Sequence, residues 1–401
     1  MRGTSCRALE EAMHDINPFF NRMGEENAFA VLARATQLAA EGRDIINLGI
    51  GQPDFATPAH IVEAAVKALR DGAHGYTPAN GLLATREAVS RRIHALTGAD
   101  VPPESIMITP GGKPAMFAAI LMFGAPGAEI LYPDPGFPIY RSMIEATGAM
   151  PVPVPMRAEN GFAVSADEVA SLITDRTRLL IVNSPGNPTG GVTPPAEIEK
   201  LAALLDRHPD IAILSDEIYD VMTYDGEAHT SLLEFDGLRD RLIVLNGWSK
   251  TWAMTGWRLG WSVWPEPLYN AVRKLAVNCW SCVNAAAQHA GIAAIDGPQD
   301  DVAAMMAAFD ARRRFVVERL NAMEGVTCAT PKGAFYAFPD ISATGWQAKQ
   351  LASGLLEEAG VALIGGPDFG ILGEGFVRVS YANSLANIEA ALDRMEAFLS
   401  G

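Results

Sequence analysis

Short runs of aliphatic and β-branched residues alternate with longer helix-like stretches through the middle of this chain, and that alternation restricts its fold more than any other feature. The runs lie at 105–109, 129–132, 179–183, 212–215, 242–245 and 259–263, with helical patterns such as 114–123 and 195–206 between them. Strands joined through helices become parallel neighbours, because a tight turn cannot return a chain to the same end of a sheet. The sequence therefore predicts an α/β domain with a mainly parallel sheet covered by helices on both faces. Past residue 299 the pattern changes to a long amphipathic helix reaching 320, strand-like segments at 334–338 and 376–379, and a helix between them. That is a smaller α+β domain. The expected division is an N-terminal arm and part of the small domain at 1–58, the large domain at 59–298 and the small domain at 299–401, with turn-rich residues 296–300 at the boundary.

Composition narrows the function classes. With 49% hydrophobic and 19% charged residues among 401, the chain has the material for a large core. Its net charge of −16 is spread without blocks of like charge, which argues against nucleic acid and anionic membranes as partners. Residues 1–15 contain no apolar run of the kind a secretory signal needs. The most apolar segment, 275–295, is interrupted by Asn278, Asn284, Gln288 and His289, as expected of one buried soluble helix rather than a membrane span. The cysteines at 6, 279, 282 and 328 are too few and too scattered for a disulfide framework. Cys279 and Cys282 form a lone C-x-x-C without a second ligand pair nearby, so two buried thiols are expected there and no metal. These readings together predict a cytoplasmic protein.

Chemistry is signalled by where the polar residues fall. Gly111, Gly112 and Lys113 follow the first strand, residues 183–187 another, Asp216 and Tyr219 a third, and Lys250 a fourth. Open parallel sheets bind ligands at the carboxyl ends of their strands, so these positions point to one shared site. In Ser249-Lys-Thr-Trp-Ala-Met-Thr-Gly-Trp-Arg258, the Lys250 amine is held where a carbonyl ligand could sit. Arg258 offers a planar fork of donors suited to a phosphate. Pyridoxal phosphate carries both groups on one small molecule.

The other candidates leave more open. Thr109-Pro-Gly-Gly-Lys-Pro-Ala115 leads into a helix whose free N–H groups suit a phosphate, yet alone it reads as an ordinary loop. Asn187, in a loop dense in turn formers, could donate to a phenolate-like oxygen with Tyr219 beside it. Asp216 could keep a ring nitrogen protonated, as an electron sink requires. Asp216 and Glu217 are a poor metal site, because successive carboxylates point apart and no histidine accompanies them. Arg378 alternates with apolar neighbours on a predicted strand, where it is either an exposed strand residue or a clamp for a carboxylate. The local pattern favours the exposed residue.

Taken together, these residues resemble the fold-type I, class I/II pyridoxal-phosphate-dependent aminotransferases, and among them the bacterial aspartate aminotransferase-like branch. The likeness runs from Ile46-Asn-Leu-Gly-Ile-Gly-Gln-Pro-Asp-Phe55 to Arg378-Val-Ser-Tyr-Ala382. It takes in Tyr76-Thr-Pro78, Asp134-Pro-Gly-Phe-Pro138, Ser215-Asp-Glu-Ile-Tyr219 and Pro331-Lys-Gly-Ala-Phe-Tyr336. The resemblance implies a large domain built on a seven-stranded-type sheet, and a homodimer with active sites at the interface. It also implies that Lys250 holds the cofactor as a Schiff base and moves the proton at the substrate Cα. Asp216 would hold the ring nitrogen, Tyr219 and Asn187 the ring oxygen, and Phe137 would stack on the ring. Arg258, the N–H groups of Gly112 and Lys113, and Tyr76 reaching across from the other subunit would bind the phosphate. Arg378, helped by Asn187 and the Gly51 backbone, would grip the substrate α-carboxylate, which reverses the reading from its local pattern.

Three positions depart from the family pattern. Phe137 stands where many aspartate-specific relatives have Trp, Gly247 where some subgroups use a serine on the phosphate, and Gly24 near the place of a lysine associated with prephenate use. The resemblance implies ping-pong transfer of an amino group between an L-amino acid and a 2-oxo acid. Lys113 matches a position that, in relatives with the same Gly-Gly-Lys, helps recognise a distal carboxylate. Aspartate or glutamate with 2-oxoglutarate or oxaloacetate is therefore the expected substrate set. Phe137 and the apolar stretch 16–20 leave an aromatic or alanine-type donor open, and a pyridoxal-phosphate-dependent C–S lyase is the alternative of another class.

Overall fold

A computed structural model describes residues 16–401; Cys6 and the rest of 1–15 lie outside the described residues. At its centre is a seven-stranded sheet made of β1 Ile106–Thr109, β2 Glu129–Asp134, β3 Met150–Pro155, β4 Thr177–Asn183, β5 Ala212–Asp216, β6 Leu242–Gly247 and β7 Gly260–Val263. The strand order is β1-β7-β6-β5-β4-β2-β3. Every pairing is parallel except those of β7, which is antiparallel to both neighbours. The expected α/β class is the observed one.

Alternation along each strand sends successive side chains to opposite faces. Leu180, Val182, Ile213 and Val244 join the core under helices Ala59–Arg70, Leu83–Thr97 and Ala285–Asp296. Leu179, Ile181, Leu214 and Leu245 join the opposite core under Lys113–Phe123 and Pro138–Thr147. A sheet covered on both faces needs strands that are apolar throughout, and β1, β2, β5, β6 and β7 are buried at every position.

The runs read from the sequence did not include β3, whose residues are Met-Pro-Val-Pro-Val-Pro. Proline has no N–H for a ladder, so a proline-rich strand is tolerated only at a sheet edge. The register shows how. Met150 and Met156 donate their N–H groups to Ala128 and Asp134 on the β2 side at 2.8 and 2.9 Å. Pro151, Pro153 and Pro155 have the opposite parity, so their missing donors would have faced away from β2, the one neighbour among the described residues. The same prolines leave that edge unable to recruit another strand.

A second core packs Phe309, Val316 and Leu320 of helix Asp300–Ala322 against Val377, Val379 and Leu363, and takes in Ile46 and Leu48 from the N-terminal side. Its three-stranded antiparallel sheet has the order Ile364–Gly365, Val377–Ser380, Tyr336–Ala337. Strand Ile46–Asn47 pairs in parallel with Val361–Ala362.

Two expectations are corrected here. Segment 275–295 is not one helix: Glu266–Cys279 ends, and Asn284 caps a new helix, Ala285–Asp296, by accepting the Ala287 N–H at 2.8 Å. The polar residue taken as an interruption is an N-cap. The two thiols are not buried either. Cys279 is exposed and Cys282 half-buried, because they flank the point where the chain leaves one helix, while Cys328 is buried. Among the described residues no helix is long and apolar enough to cross a membrane.

Candidate active site

A cavity of about 460 Å³ opens at the carboxyl ends of β4, β5 and β6, and Lys250, Asp216 and Arg258 all line it. Asp216 is the last residue of β5 and is buried. Its carboxylate accepts the Tyr140 hydroxyl at 2.6 Å and the Ile218 N–H at 3.3 Å. Burial lifts its pKa from 3.8 to about 6, against the lowering effect of the Tyr140 and Ile218 donors. Lys250 lies just beyond β6 and donates to the Gly51 carbonyl at 2.5 Å. Burial, aided by Arg378 and Arg258, lowers its pKa to about 8. The carboxylate of Glu217 turns the other way, to the hydroxyls of Ser215 and Ser231 at 2.8 Å.

Arg378 is not an exposed strand residue. It is 3% exposed, and its guanidinium lies 4.6 and 4.7 Å from the ring centroids of Tyr336 and Phe369. Nη1 donates to Asn187 Oδ1 at 2.8 Å, Nη2 donates to the Gly49 carbonyl, and Nε is buried with no partner among the described residues. Because the Asn187 amide oxygen is engaged by Arg378, its NH2 is the end left to donate elsewhere. Tyr219 is buried with its hydroxyl 2.8 Å from that of Tyr336. Burial holds the phenols of Tyr219 and Tyr336 above the ordinary tyrosine range.

The opposite wall is built by the turn after β1. Gly111 has φ +84°, and a Cβ there would collide with the Arg258 guanidinium. Arg258, itself left-handed at φ 53°, donates to the Thr255 carbonyl at 2.8 Å. Gly112 is the N-cap of helix Lys113–Phe123, whose first N–H groups lack intrahelical acceptors. We expect Gly111→Ala to cost about 1–2 kcal/mol from the left-handed backbone alone, and to push Arg258 aside. Urea denaturation measures the first effect, and a weaker hold on a phosphate-bearing ligand measures the second.

The charges define what the cavity takes. Lys113, Lys250, Arg258 and Arg378 face two carboxylates, Glu26 and Asp216, and the one ion pair among these described residues is Lys113–Glu26 at 2.7 Å. A cationic cavity in a chain of net charge −16 suits a ligand with more than one anionic group. The donor set fits pyridoxal phosphate. Arg258 and the glycine-opened helix N-terminus can take a phosphate, Asp216 a protonated ring nitrogen, and Lys250 a carbonyl carbon. Phe137, the N-cap of helix Pro138–Thr147, faces the same space.

The structure thus brings Gly51, Gly112, Lys113, Phe137, Asn187, Asp216, Tyr219, Lys250, Arg258 and Arg378 around one cavity. Tyr76 is not among them; it is 93% exposed. Sequence reasoning missed Tyr140, Tyr336 and Glu26. Tyr140 lies three residues after Phe137 on a helix and nothing in its own neighbourhood marks it. Tyr336 stood in a quoted motif without a role.

Residues 43–395 match the family model described as aminotransferase class I and II. The chain is 38% identical to an aromatic-amino-acid aminotransferase of Thermococcus litoralis, over 98% of both chains. It is 36% identical to an aspartate aminotransferase of Geobacillus stearothermophilus, over 92% of this chain and 95% of that one. A solved structure of aspartate aminotransferase from Thermus thermophilus with maleate superposes with a TM-score of 0.91 at 35% identity, covering 96% of this chain and 100% of that one.

Proposed function

The chain belongs to the class I and II aminotransferases, which makes it a transaminase working with pyridoxal 5′-phosphate, and we propose that it exchanges the amino group of aspartate or glutamate with 2-oxoglutarate or oxaloacetate. The observation that carries the choice is Lys113, a cation at the cavity wall on the same helix N-terminus that offers the phosphate donors. It lines the same cavity as Arg378, and two cations in one cavity suit a molecule with two carboxylates. The cofactor, when bound, supplies a carbonyl for the substrate amine and a ring that draws electrons from Cα.

The protein does the rest. Arg378 binds the α-carboxylate with its guanidinium already oriented by Asn187 and the Gly49 carbonyl, so little freedom is lost on binding. Lys250 Nζ, with a pKa of about 8, is neutral often enough near pH 7 to take the Cα proton. With the cofactor bound, Asp216 would hold the ring nitrogen, Tyr219 and Asn187 would serve the ring oxygen, and Phe137 would pack on the ring. Arg258 and the N–H groups of Gly112 and Lys113 would hold the phosphate. Tyr76 does not line this cavity and is 93% exposed, as a residue serving the phosphate of a neighbouring subunit would be, which supports a homodimer with shared sites. Cys279, Cys282 and Cys328 form no disulfide among the described residues, which agrees with the cytoplasmic setting we propose.

An aromatic donor is the second reading, favoured by Phe29 and Phe137 lining the cavity and by the pairing of Lys113 with Glu26. A panel of aspartate, glutamate, phenylalanine and alanine against 2-oxoglutarate, oxaloacetate and pyruvate separates the two. Ammonia and pyruvate release from cysteine conjugates measures any lyase activity alongside. Lys113→Ala is expected to lower kcat/KM for aspartate about ten-fold or more relative to alanine, the loss typical of a charge-assisted hydrogen bond. Equal losses for both donors would remove Lys113 from substrate recognition.

A further inference from the structure

The Lys113–Glu26 pair sits where it bears on substrate choice. Glu26 immediately precedes helix Asn27–Ala40 and lines the same cavity as Lys250 and Arg378. Its side chain is 18% exposed against 47% for Lys113, so the acid is the more buried partner. Its negative charge reaches the heart of the site, where it favours the protonated forms of Lys250 and Tyr336. The Lys113 ammonium lies 5.5 and 5.4 Å from the ring centroids of Phe29 and Phe137. A carboxylate belonging to the protein thus occupies the position beside Lys113 that a substrate's distal carboxylate needs.

We propose that Glu26 is a specificity-determining residue, an internal competitor for the distal carboxylate of the substrate. With the pair closed, the subsite is charge-neutral and walled by phenyl rings, and it accepts an apolar or aromatic side chain. A dicarboxylic substrate reacts by displacing Glu26 from Lys113. This rests on the reading of Lys113 given above. A pair with one half-exposed partner is worth a factor of about two to five, so Glu26 sets the ratio between the two substrate classes and excludes neither.

The test uses holoenzyme of the wild type, Glu26→Gln, Lys113→Ala and the double variant. The half-reactions with aspartate and phenylalanine are followed separately, and binding of succinate and 3-phenylpropionate is measured by calorimetry. Glu26→Gln is expected to raise the aspartate-to-phenylalanine ratio of kcat/KM about five-fold. The change should appear in KM rather than kcat, with a matching gain in the succinate-to-phenylpropionate binding ratio. In the Lys113→Ala background the same substitution should leave the ratio where it is. An unchanged or lower ratio in Glu26→Gln overturns the proposal. If aspartate is a poor substrate of the wild type beside phenylalanine, the acidic-substrate reading falls, and the role of Glu26 still stands where Glu26→Gln raises the ratio about five-fold; if neither enzyme turns over aspartate, both fall.

Discussion

Lys250→Ala is expected to lose transamination by at least about four orders of magnitude, the upper range for removal of a general base, with the covalent hold on the cofactor lost as well. The visible absorbance of the lysine-bound cofactor should vanish with it. Lys250→Arg should be as inactive as the alanine variant, because a guanidinium keeps its proton throughout the working pH range. Unfolding is not the expected cause. Burial lowers the Lys250 pKa to about 8 from 10.5, so the folded protein carries a penalised charge at all pH values below 8. The unfolded chain binds more protons between 8 and 10.5, and stability rises across that window. Removing the amine at pH 7 therefore relieves a burial penalty in the cofactor-free protein, whose denaturant midpoint should hold or rise. Turnover near the wild-type rate in Lys250→Ala would sink the assignment.

Lys250 and Asp216 were legible because a polar residue at the end of an apolar run has its location fixed by the strand before it. Once β5 and β6 are parallel neighbours, their ends are neighbours too. Arg378 was less legible from its strand. Its burial depends on Tyr336, Phe369 and Gly49, which come from elsewhere in the chain and leave no trace in the alternation of residues 376–379. Tyr140 reaches Asp216 from 76 positions away, and Glu26 reaches Lys113 from 87. Contacts of that kind are products of packing, not of local pattern. The strand β3 was hidden for the opposite reason: its prolines contradict strand propensity, and only its edge position makes them acceptable.

Asp216→Asn is expected to move activity and stability in opposite directions. An amide has no charge with which to keep a ring nitrogen protonated, so transamination should fall by about three orders of magnitude, the scale of losing a catalytic electrostatic contact. Stability follows the proton count. Burial raises the Asp216 pKa from 3.8 to about 6, so between those values the folded protein binds more protons than the unfolded chain. Its stability falls as pH rises through that window, and above pH 6 the ionised, buried carboxylate costs about 3 kcal/mol. Asparagine resembles the protonated acid, and its amide oxygen can still accept the Tyr140 hydroxyl. The cofactor-free variant should therefore be more stable than wild type at pH 7.5, by up to about 3 kcal/mol, with the difference shrinking toward zero near pH 4. Urea denaturation at the two pH values decides it. A variant equally destabilised at both would mean that Asp216 holds the fold rather than carrying a charge reserved for its ligand.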